Sequence, residues 1–497
     1  MKISIVVCVD VDNGISKNGQ IPWKFKKDLK LFKNLTEKSI NPIDNIDNSI
    51  IKPNVVIMGR KTYEDIPEKY RPLSNRINII LTSNKDYNNE NSNIIVKTSI
   101  IDILQYLQEN KKEFNEVFII GGSSIYKQFL DLKIVNTLYV TKVYNSFSCD
   151  NHFYSKLIGS NNMYTNNVQY KYFKSIKSDS FYDNDLLSNN SIDVQIHINQ
   201  YEYVNKEETK YLDMVKKILK KGVYNLDRTN VGTLSLFGKS FKYDIRNYRL
   251  PLFTHRKMFF RGIVEELLFF ISGKTNTKIL EEKRVNIWKG NTSREFLDSR
   301  GLQYYEEGDM GPGYPFQLRN WNANYIDCNT DYSGKGFDQL QYVIDLIKND
   351  PTSRRILFNY WNPSEFKKTA LMPCHLLYQF HVNVETNELS CSFYQRSSDS
   401  ALAKNYNTCS AALLVFMLCY ITNLKPGKII HNIGNIHIYM NQIDEVKKFI
   451  NNKPLNFPIL HIDDPNNEIK TIDDFKYEHF KVLLYNSHGK YTLPMAV

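Results

Sequence analysis

The chain predicts an α/β fold built as two successive domains, on three observations. Its 497 residues, 42% hydrophobic and 24% charged, exceed what one core holds, because single cores stop growing near about 250–300 residues. Through the first half, short β-branched runs alternate with helix-period patterns, as expected of a mostly parallel sheet covered on both faces. Near Lys206 a new amphipathic helix opens with no long Gly/Ser or Pro-rich tether before it, so the junction is short and the domains are residues 1–204 and 205–497.

The elements follow in order. A strand from Ile3 to Val9 precedes a helix from about Lys26 to Leu35, where Leu29 and Phe32 follow Asp28 at helical spacing. β-Branched runs at 55–58, 78–81 and 94–96 read as strands, and a helix is expected near Ile100 to Asn110. The strand Glu116 to Ile120 ends in Gly121-Gly122-Ser123-Ser124 before a helix from Ile125 to Leu130. Thr137 to Val143 is a further strand, and the alternation of residues 192–198 suits a closing antiparallel one. The Asn/Ile/Lys-rich stretch 37–54 reads as an inserted surface loop, and a second polar stretch covers 178–191. The second domain opens with a helix running from Lys206 to Lys221.

Several classes are disfavoured. The formal charge is +11, yet Lys24, Lys26, Lys27 and Lys216, Lys217, Lys220, Lys221 look like solvated helix faces, and no zinc-finger or RNP pattern accompanies them. Scattered charge of this kind favours anionic small substrates over nucleic acid. Seven Cys without CxxC spacing fit reduced thiols in a cytoplasmic protein, and no metal site is expected. Met1-Lys2 leads straight into Ile3-Ser4-Ile5, wrongly flanked for a secretory signal, and no apolar run approaches the roughly 18 residues of a spanning helix. No membrane role is expected.

Asp28 stands in the first turn of its helix after Pro22-Trp23. Among Trp, Leu and Phe a carboxylate loses solvation and its pKa rises, which suits it to hold a protonated heteroaromatic ring. Alone, it reads more simply as a helix N-terminal carboxylate favoured by the dipole. Gly121-Gly122-Ser123, between strand and helix, offers backbone N–H groups and a positive helix end to a phosphate. The turn lacks a full GxGxxG. Met58-Gly59-Arg60-Lys61-Thr62 repeats the arrangement with two cations that could meet an additional phosphate, so the pair of turns suits NADPH better than NADH.

In the second half Cys374 follows Pro373 in an apolar segment, where an inert core thiol is the simplest reading. A nucleophilic thiolate needs cations to depress its pKa, and Arg228, Arg354, Arg355 and Arg396 could supply them while clamping a phosphate. Each arginine alone would more often be a surface salt-bridge partner.

Taken with their flanks, these strings resemble two families. Residues 1–204 resemble dihydrofolate reductase through Gly14-Ile15-Ser16-Lys17-Asn18-Gly19, Pro22-Trp23, Asp28, residues 59–62, Pro72-Leu73, Arg76, Thr82-Ser83, Gly121-Gly122 and Tyr139-Val140-Thr141. The resemblance implies that Asp28 and Thr141 serve the pteridine, Phe32 flanks it, and Arg76 pairs with the α-carboxylate of the folate. Arg60, Lys61, Thr62, Thr82, Ser83, Gly121, Gly122 and Ser123 would hold NADPH. Ser16 stands where that family usually has Gly.

From Glu208 onward the chain is similar to thymidylate synthase, through Asp227-Arg228-Thr229, Glu265-Glu266-Leu267-Leu268, residues 293–299, Ser353-Arg354-Arg355-Ile356, Pro373-Cys374-His375, Gln395-Arg396-Ser397, His437-Ile438-Tyr439 and Met495-Ala496-Val497. That likeness implies an α+β domain with a large mixed sheet and a homodimer formed through it. It also implies that Cys374 adds to C6 of dUMP, Glu266 organises proton transfer and Asn407 reads the uracil edge. Arg228, Gln395, Arg396, Ser397, His437 and Tyr439 would bind dUMP, with Arg354 and Arg355 reaching its phosphate from the other subunit. Phe259, Trp288, Asn291, Asp399 and Val497 would face 5,10-methylenetetrahydrofolate.

Departures from that family include Ala403 for Gly, Asn405 for Pro, Pro315 for Gly, and Asn435 for Asp in the segment of His437, and several lie in loops that would shape the folate pocket. In the expected loop from Asp399 to Asn407 a methyl group at 403 would restrict positive φ, and loss of Pro would loosen the turn. The whole resembles the fused enzyme of protozoa and plants that methylates dUMP and reduces the resulting dihydrofolate. The alternative is an active reductase whose second half serves mainly as a dimerisation and nucleotide-binding scaffold.

Overall fold

A computed structural model describes residues 1–37, 52–87, 94–153, 172–187 and 193–495. Most of the expected 37–54 loop lies outside these residues, as does Val497. The chain forms two compact units, Met1–Asn205 and Lys206–Val497.

The first unit contains strands β1 (Ile3–Val9), β2 (Gly14–Ser16), β3 (Asn54–Gly59), β4 (Arg76–Leu81), β5 (Ile94–Lys97), β6 (Val117–Gly121), β7 (Thr137–Val143), β8 (Asn151–His152), β9 (Phe173–Asn184) and β10 (Asp193–Tyr203). Its helices are α1 (Lys26–Glu37), α2 (Arg60–Glu64), α3 (Ile100–Glu109) and α4 (Ser123–Asp131). The main sheet runs β5-β4-β3-β6-β1-β7-β10-β9, parallel as far as β7 and antiparallel at β10 and β9. Val55, Val56, Ile57, Met58, Ile79, Ile80, Phe118 and Ile119 are fully buried, which is why these strands read as unbroken apolar runs. The polar residues Ser178 to Asn184 belong to β9: pairing with β10 satisfies their backbone while their side chains stay in water.

The second unit adds β11 (Val223–Asn225), β12 (Thr233–Asp244), β13 (Leu357–Asn359), β14 (His375–Asn383), β15 (Glu388–Asp399), β16 (Lys425–Tyr439), β17 (Ile459–Ile462) and β18 (Phe480–Leu483). Its helices are α5 (Lys206–Lys221), α6 (Phe260–Ile271), α7 (Lys278–Glu282), α8 (Arg294–Ser299), α9 (Tyr314–Arg319), α10 (Gln339–Asn349), α11 (Lys404–Thr422) and α12 (Ile443–Phe449). A mixed six-stranded sheet runs β11-β12-β16-β15-β14-β13, with β15 and β16 parallel.

Helix α11 packs on β15, β16 and α6 and corrects one expectation. By length and composition it is apolar enough to cross a membrane. The residues Ala411 to Cys419 are all buried, because a helix enclosed by a sheet and other helices is apolar on every side. On the opposite face of the sheet, Leu377 and Tyr394 lie in register across β14 and β15, and both are exposed.

Candidate functional site

In the first unit the parallel strands place their C-terminal ends along one crevice edge, where an α/β sheet takes ligands. Asp28 enters there from the first turn of α1 and is half-buried. Burial raises its pKa, while hydrogen bonds from the Thr141 hydroxyl and the Cys8 thiol oppose the rise. Cys8 and Thr141 face each other across β1 and β7, so the two strands present a thiol and a hydroxyl to one carboxylate. Cys8 was missed at the level of sequence, where only its strand register would have revealed it.

Asp28, Phe32 and Thr36 follow at i, i+4 and i+8, one face of α1. At that face's far end Arg76 donates from Nη1 to Thr36 Oγ1 at 2.8 Å and from Nε to the Ser74 carbonyl at 2.9 Å. Eight residues of helix separate the carboxylate from the guanidinium region by about 12 Å.

Both glycine turns meet at the same edge, since β3 and β6 are neighbours with Met58 opposite Gly121. Gly121 has φ +141°, and a Cβ there would lie 3.2 Å from Thr62 Cγ2. At Gly59 it would lie 3.3 Å from Ile125 Cγ1. Helix α4 starts at Ser123 with no side-chain cap, which leaves its first N–H groups to an anion. Gly59 is opposite Leu81 on β4, so buried Thr82 and exposed Ser83 join the same rim. Arg60 departs from expectation: its Nη1 is bound to both oxygens of Glu64 at 2.9 and 2.8 Å. Exposed pairs of this kind are weak, so a phosphate can compete for the guanidinium. Lys61 is exposed beside it.

In the second unit a cavity of about 290 Å³ gathers Arg228, Glu266, Trp288, Cys374, Gln395, Arg396, Ser397, Asp399, Asn407, His437 and Tyr439. These come from sites as far apart as Arg228 and Tyr439. Arg354 and Arg355 are exposed and do not line it, and neither do Phe259 or Asn291. Asn291 is buried with Nδ2 lacking a partner, and Phe259 is exposed before α6.

Cys374 is half-buried just before β14. Its N–H donates to the Tyr314 hydroxyl at 2.5 Å, and its carbonyl accepts from Arg396 N–H at 2.8 Å. The Arg396 side chain donates from Nε to the Pro373 carbonyl at 2.8 Å and from Nη2 to that of Met372 at 3.1 Å. Tyr314 comes from the first turn of α9, where Pro315 occupies a position that suits proline. The expected depression of the thiol pKa is corrected: burial raises it, and Arg396 and Arg228 only oppose that rise. Desolvation of the charged form outweighs the two guanidinium groups.

Glu266 is pushed up to about 7 by burial, with the Trp288 indole opposing. It can therefore give and take a proton near neutral pH. His375 is lowered to about 4 by burial and hydrogen-bonds Asn407, so neutral imidazole orients that amide. The Asp399 carboxylate accepts from Ala401 N, Leu402 N and Gln442 Nε2 at 2.9, 3.0 and 2.7 Å. Asn435 Oδ1 lies 2.9 Å from His437 Nδ1, so this Asn supplies the acceptor an Asp would. Ala403 has φ −92°, ψ −34° at the start of α11. The expected loop with positive φ at this position is therefore a helix N-terminus that accepts a methyl group freely.

Residues 209–497 match the family model described as thymidylate synthase, and residues 2–171 the one described as dihydrofolate reductase. A Zea mays protein named bifunctional dihydrofolate reductase-thymidylate synthase is 39% identical, over 99% of this chain and 96% of its own length. An Arabidopsis thaliana protein of the same name, numbered 1, is 40% identical over 99% and 96%, and one from Paramecium tetraurelia 39% over 99% and 98%.

Proposed function

Since the chain belongs to the bifunctional dihydrofolate reductase-thymidylate synthase family and carries both activities of dTMP synthesis, we propose that its two units perform them with the residues gathered above. The convergence of Cys374, Arg228, Arg396, Glu266 and Asn407 on one cavity carries this reading.

In the synthase unit, Arg228 and Arg396 hold the dUMP phosphate, and Asn407, oriented by His375, reads the uracil edge. Gln395, Ser397, His437 and Tyr439 complete the nucleotide site. Cys374 gives up its proton and its sulfur adds to C6, which makes C5 nucleophilic toward the methylene of 5,10-methylenetetrahydrofolate. Glu266 manages the protons: C5 loses its proton, the methylene parts from the folate nitrogen and receives a hydride from the folate, and the Cys374 sulfur leaves C6 as the thiolate, which gives dTMP and dihydrofolate. Asp399 and Trp288 border the folate side of the cavity.

In the reductase unit, dihydrofolate lies along α1 with its pteridine at Asp28 and Thr141, its ring beside Phe32 and its glutamate carboxylate at Arg76. The roughly 12 Å between these ends supports that pose. NADPH supplies the hydride. Gly121, Gly122, Ser123 and Thr62 form a cradle that a Cβ would fill, and Arg60, Lys61, Thr82 and Ser83 line its rim. A raised Asp28 pKa lets this carboxyl share a proton with the pteridine.

A homodimer through the synthase unit is part of this reading, and the exposed pair Leu377 and Tyr394 on the outward sheet face supports it. It would bring Arg354 and Arg355, which lie off their own cavity, to the partner's dUMP phosphate. The free cysteines fit a cytoplasmic location. The assay that tests the whole reading is tritium release from labelled dUMP run beside NADPH oxidation with dihydrofolate. Absence of tritium release in a folded chain with intact reductase would leave the scaffold alternative.

A further inference from the structure

Lys404 opens α11 and is fully buried. Its Nζ is hydrogen-bonded to the Tyr243 hydroxyl. Four rings surround the amine, with centroids at 4.3 Å (Phe241), 4.7 Å (Tyr243), 4.9 Å (Phe253) and 5.1 Å (Tyr211). An aliphatic side chain would fill that space without burying a polar group. A cation in the first turn of a helix also meets the positive end of the dipole. Burial moves the Lys404 pKa well below 10.5, with Glu208 opposing, so the site disfavours the charged amine relative to water.

The position matters because α11 is the wall between this amine and the synthase cavity. Ala403, Asn407, Ser410, Ala411 and Leu414 line the cavity, one helical face by their spacing. Lys404 and Thr408 stand one turn apart on the flank of that face, roughly a quarter turn round the helix. Thr408 Oγ1 lies 3.0 Å from the Lys404 carbonyl and 3.0 Å from His431 Nδ1. His431 Nε2 in turn lies 2.8 Å from Gln395 Oε1, and Gln395 lines the cavity. A buried hydrogen-bond chain thus links the first turn of α11 to the nucleotide side of the site.

We propose that Lys404 is a positioning residue of the synthase reaction: anchored to Tyr243, it fixes the depth of the first turn of α11 and with it Asn407 and the segment from Asp399 to Ala403. The proposal rests on the synthase reading above. The ionisable groups around the amine are Glu208 and Tyr211 from α5, Tyr243 from β12, His255 and Arg256 ahead of α6, and His431 from β16. Glu208 is occupied elsewhere, accepting from Thr254 N, Thr254 Oγ1 and His255 N at 2.8, 2.8 and 2.7 Å, with His255 Nδ1 at 2.8 Å. The hydroxyl of Tyr243 is therefore the anchor, and removing either partner should release the same turn.

The test uses the full chain with Lys404→Met and Tyr243→Phe, singly and together. Tritium release by the parent tests the synthase reading itself, and the variant-to-parent ratio tests Lys404. Lys404→Met should raise the KM for methylenetetrahydrofolate about tenfold, through misplacement of the reacting groups. The dUMP dissociation constant should rise less than the folate KM, by about two- to threefold, because the Asn407 contact shifts while the phosphate clamp is untouched. Tyr243→Phe should reproduce the effect and the double variant add nothing to it. The reductase rate should not change, and the synthase unit of Lys404→Met should melt higher than the parent at neutral pH. Its stability should also lose the rise with pH that the parent shows between the lowered Lys404 pKa and 10.5, where only the unfolded chain holds the extra proton. Unchanged folate kinetics in both single variants would overturn the proposal. Equal loss of dUMP affinity, folate affinity and melting temperature would make Lys404 a packing residue only and overturn it as well. If Lys404→Met does not fold, Tyr243→Phe decides alone.

Discussion

The Trp288 indole donates a 2.8 Å hydrogen bond from Nε1 to Oε1 of Glu266. This contact steadies a carboxyl that burial has moved from the usual 4.5 to about 7. A folded-state pKa above the unfolded one makes the native unit bind a proton that the unfolded chain has released. The associated stability is fully present below 4.5 and is lost as pH rises through 7. Glu266→Gln keeps an acceptor for Trp288 and removes the cost of ionisation. The synthase unit of the variant should gain roughly 2–3 kcal/mol at pH 8.5 and little at pH 4.5, with a large fall in turnover. Denaturant unfolding at the two pH values checks the sign. A gain independent of pH would remove Glu266 as the titrating group.

Asp28→Asn should slow NADPH oxidation by about a hundredfold or more at neutral pH and leave tritium release from dUMP intact. The deficit should narrow in acid, where the pteridine takes its proton from solvent. A pH-rate profile of the variant parallel to that of the parent would take Asp28 out of the protonation step.

Cys374→Ser should bind dUMP measurably yet form no covalent adduct, since a hydroxyl has no thiolate-like population at neutral pH. With fluorodeoxyuridylate and methylenetetrahydrofolate, the parent should give a complex that survives denaturing electrophoresis. The same band from the variant would assign the nucleophile elsewhere.

Arg355→Ala and Cys374→Ser subunits, each inactive as synthase homodimers, should recover activity on mixing. A clamp that crosses the two-fold interface leaves one intact site in the mixed dimer. Proven heterodimers without any synthase turnover would confine Arg355 to its own subunit.

Asn405 is fully buried in the first turn of α11, and its amide atoms lack well-formed hydrogen bonds, with the Tyr211 hydroxyl beside them. Proline is tolerated in a first helical turn, and Asn405→Pro removes the poorly bonded amide. The expected gain is about 1–2 kcal/mol, seen as a melting shift of about 2–4 °C in the synthase unit. Ala403→Gly should change folate kinetics little, because Ala403 already has helical φ and ψ. A marked fall in the folate KM for Ala403→Gly would restore the view that its methyl group obstructs the ring.

Local pattern in the sequence was enough to place the first unit's main-sheet strands other than β9, with α1, the two glycine turns, the positions of Asp28 and Cys374, and the second unit's opening helix. Backbone period and the chemistry of adjacent residues are properties of near neighbours, so the chain states them openly. Tertiary structure alone decided the rest. It brought Arg228, Glu266, Arg396 and Tyr439 onto one cavity with Cys374, and it put Cys8 of β1 and Thr141 of β7 beside Asp28 of α1. It engaged Arg60 with Glu64 and enclosed Lys404 in aromatic rings behind the cavity wall. It also reversed the expected direction of the Cys374 pKa and turned an expected loop at Ala403 into a helix start. Desolvation and hydrogen bonding between residues distant in sequence depend on what the whole fold packs around a group, and no window of sequence contains that information.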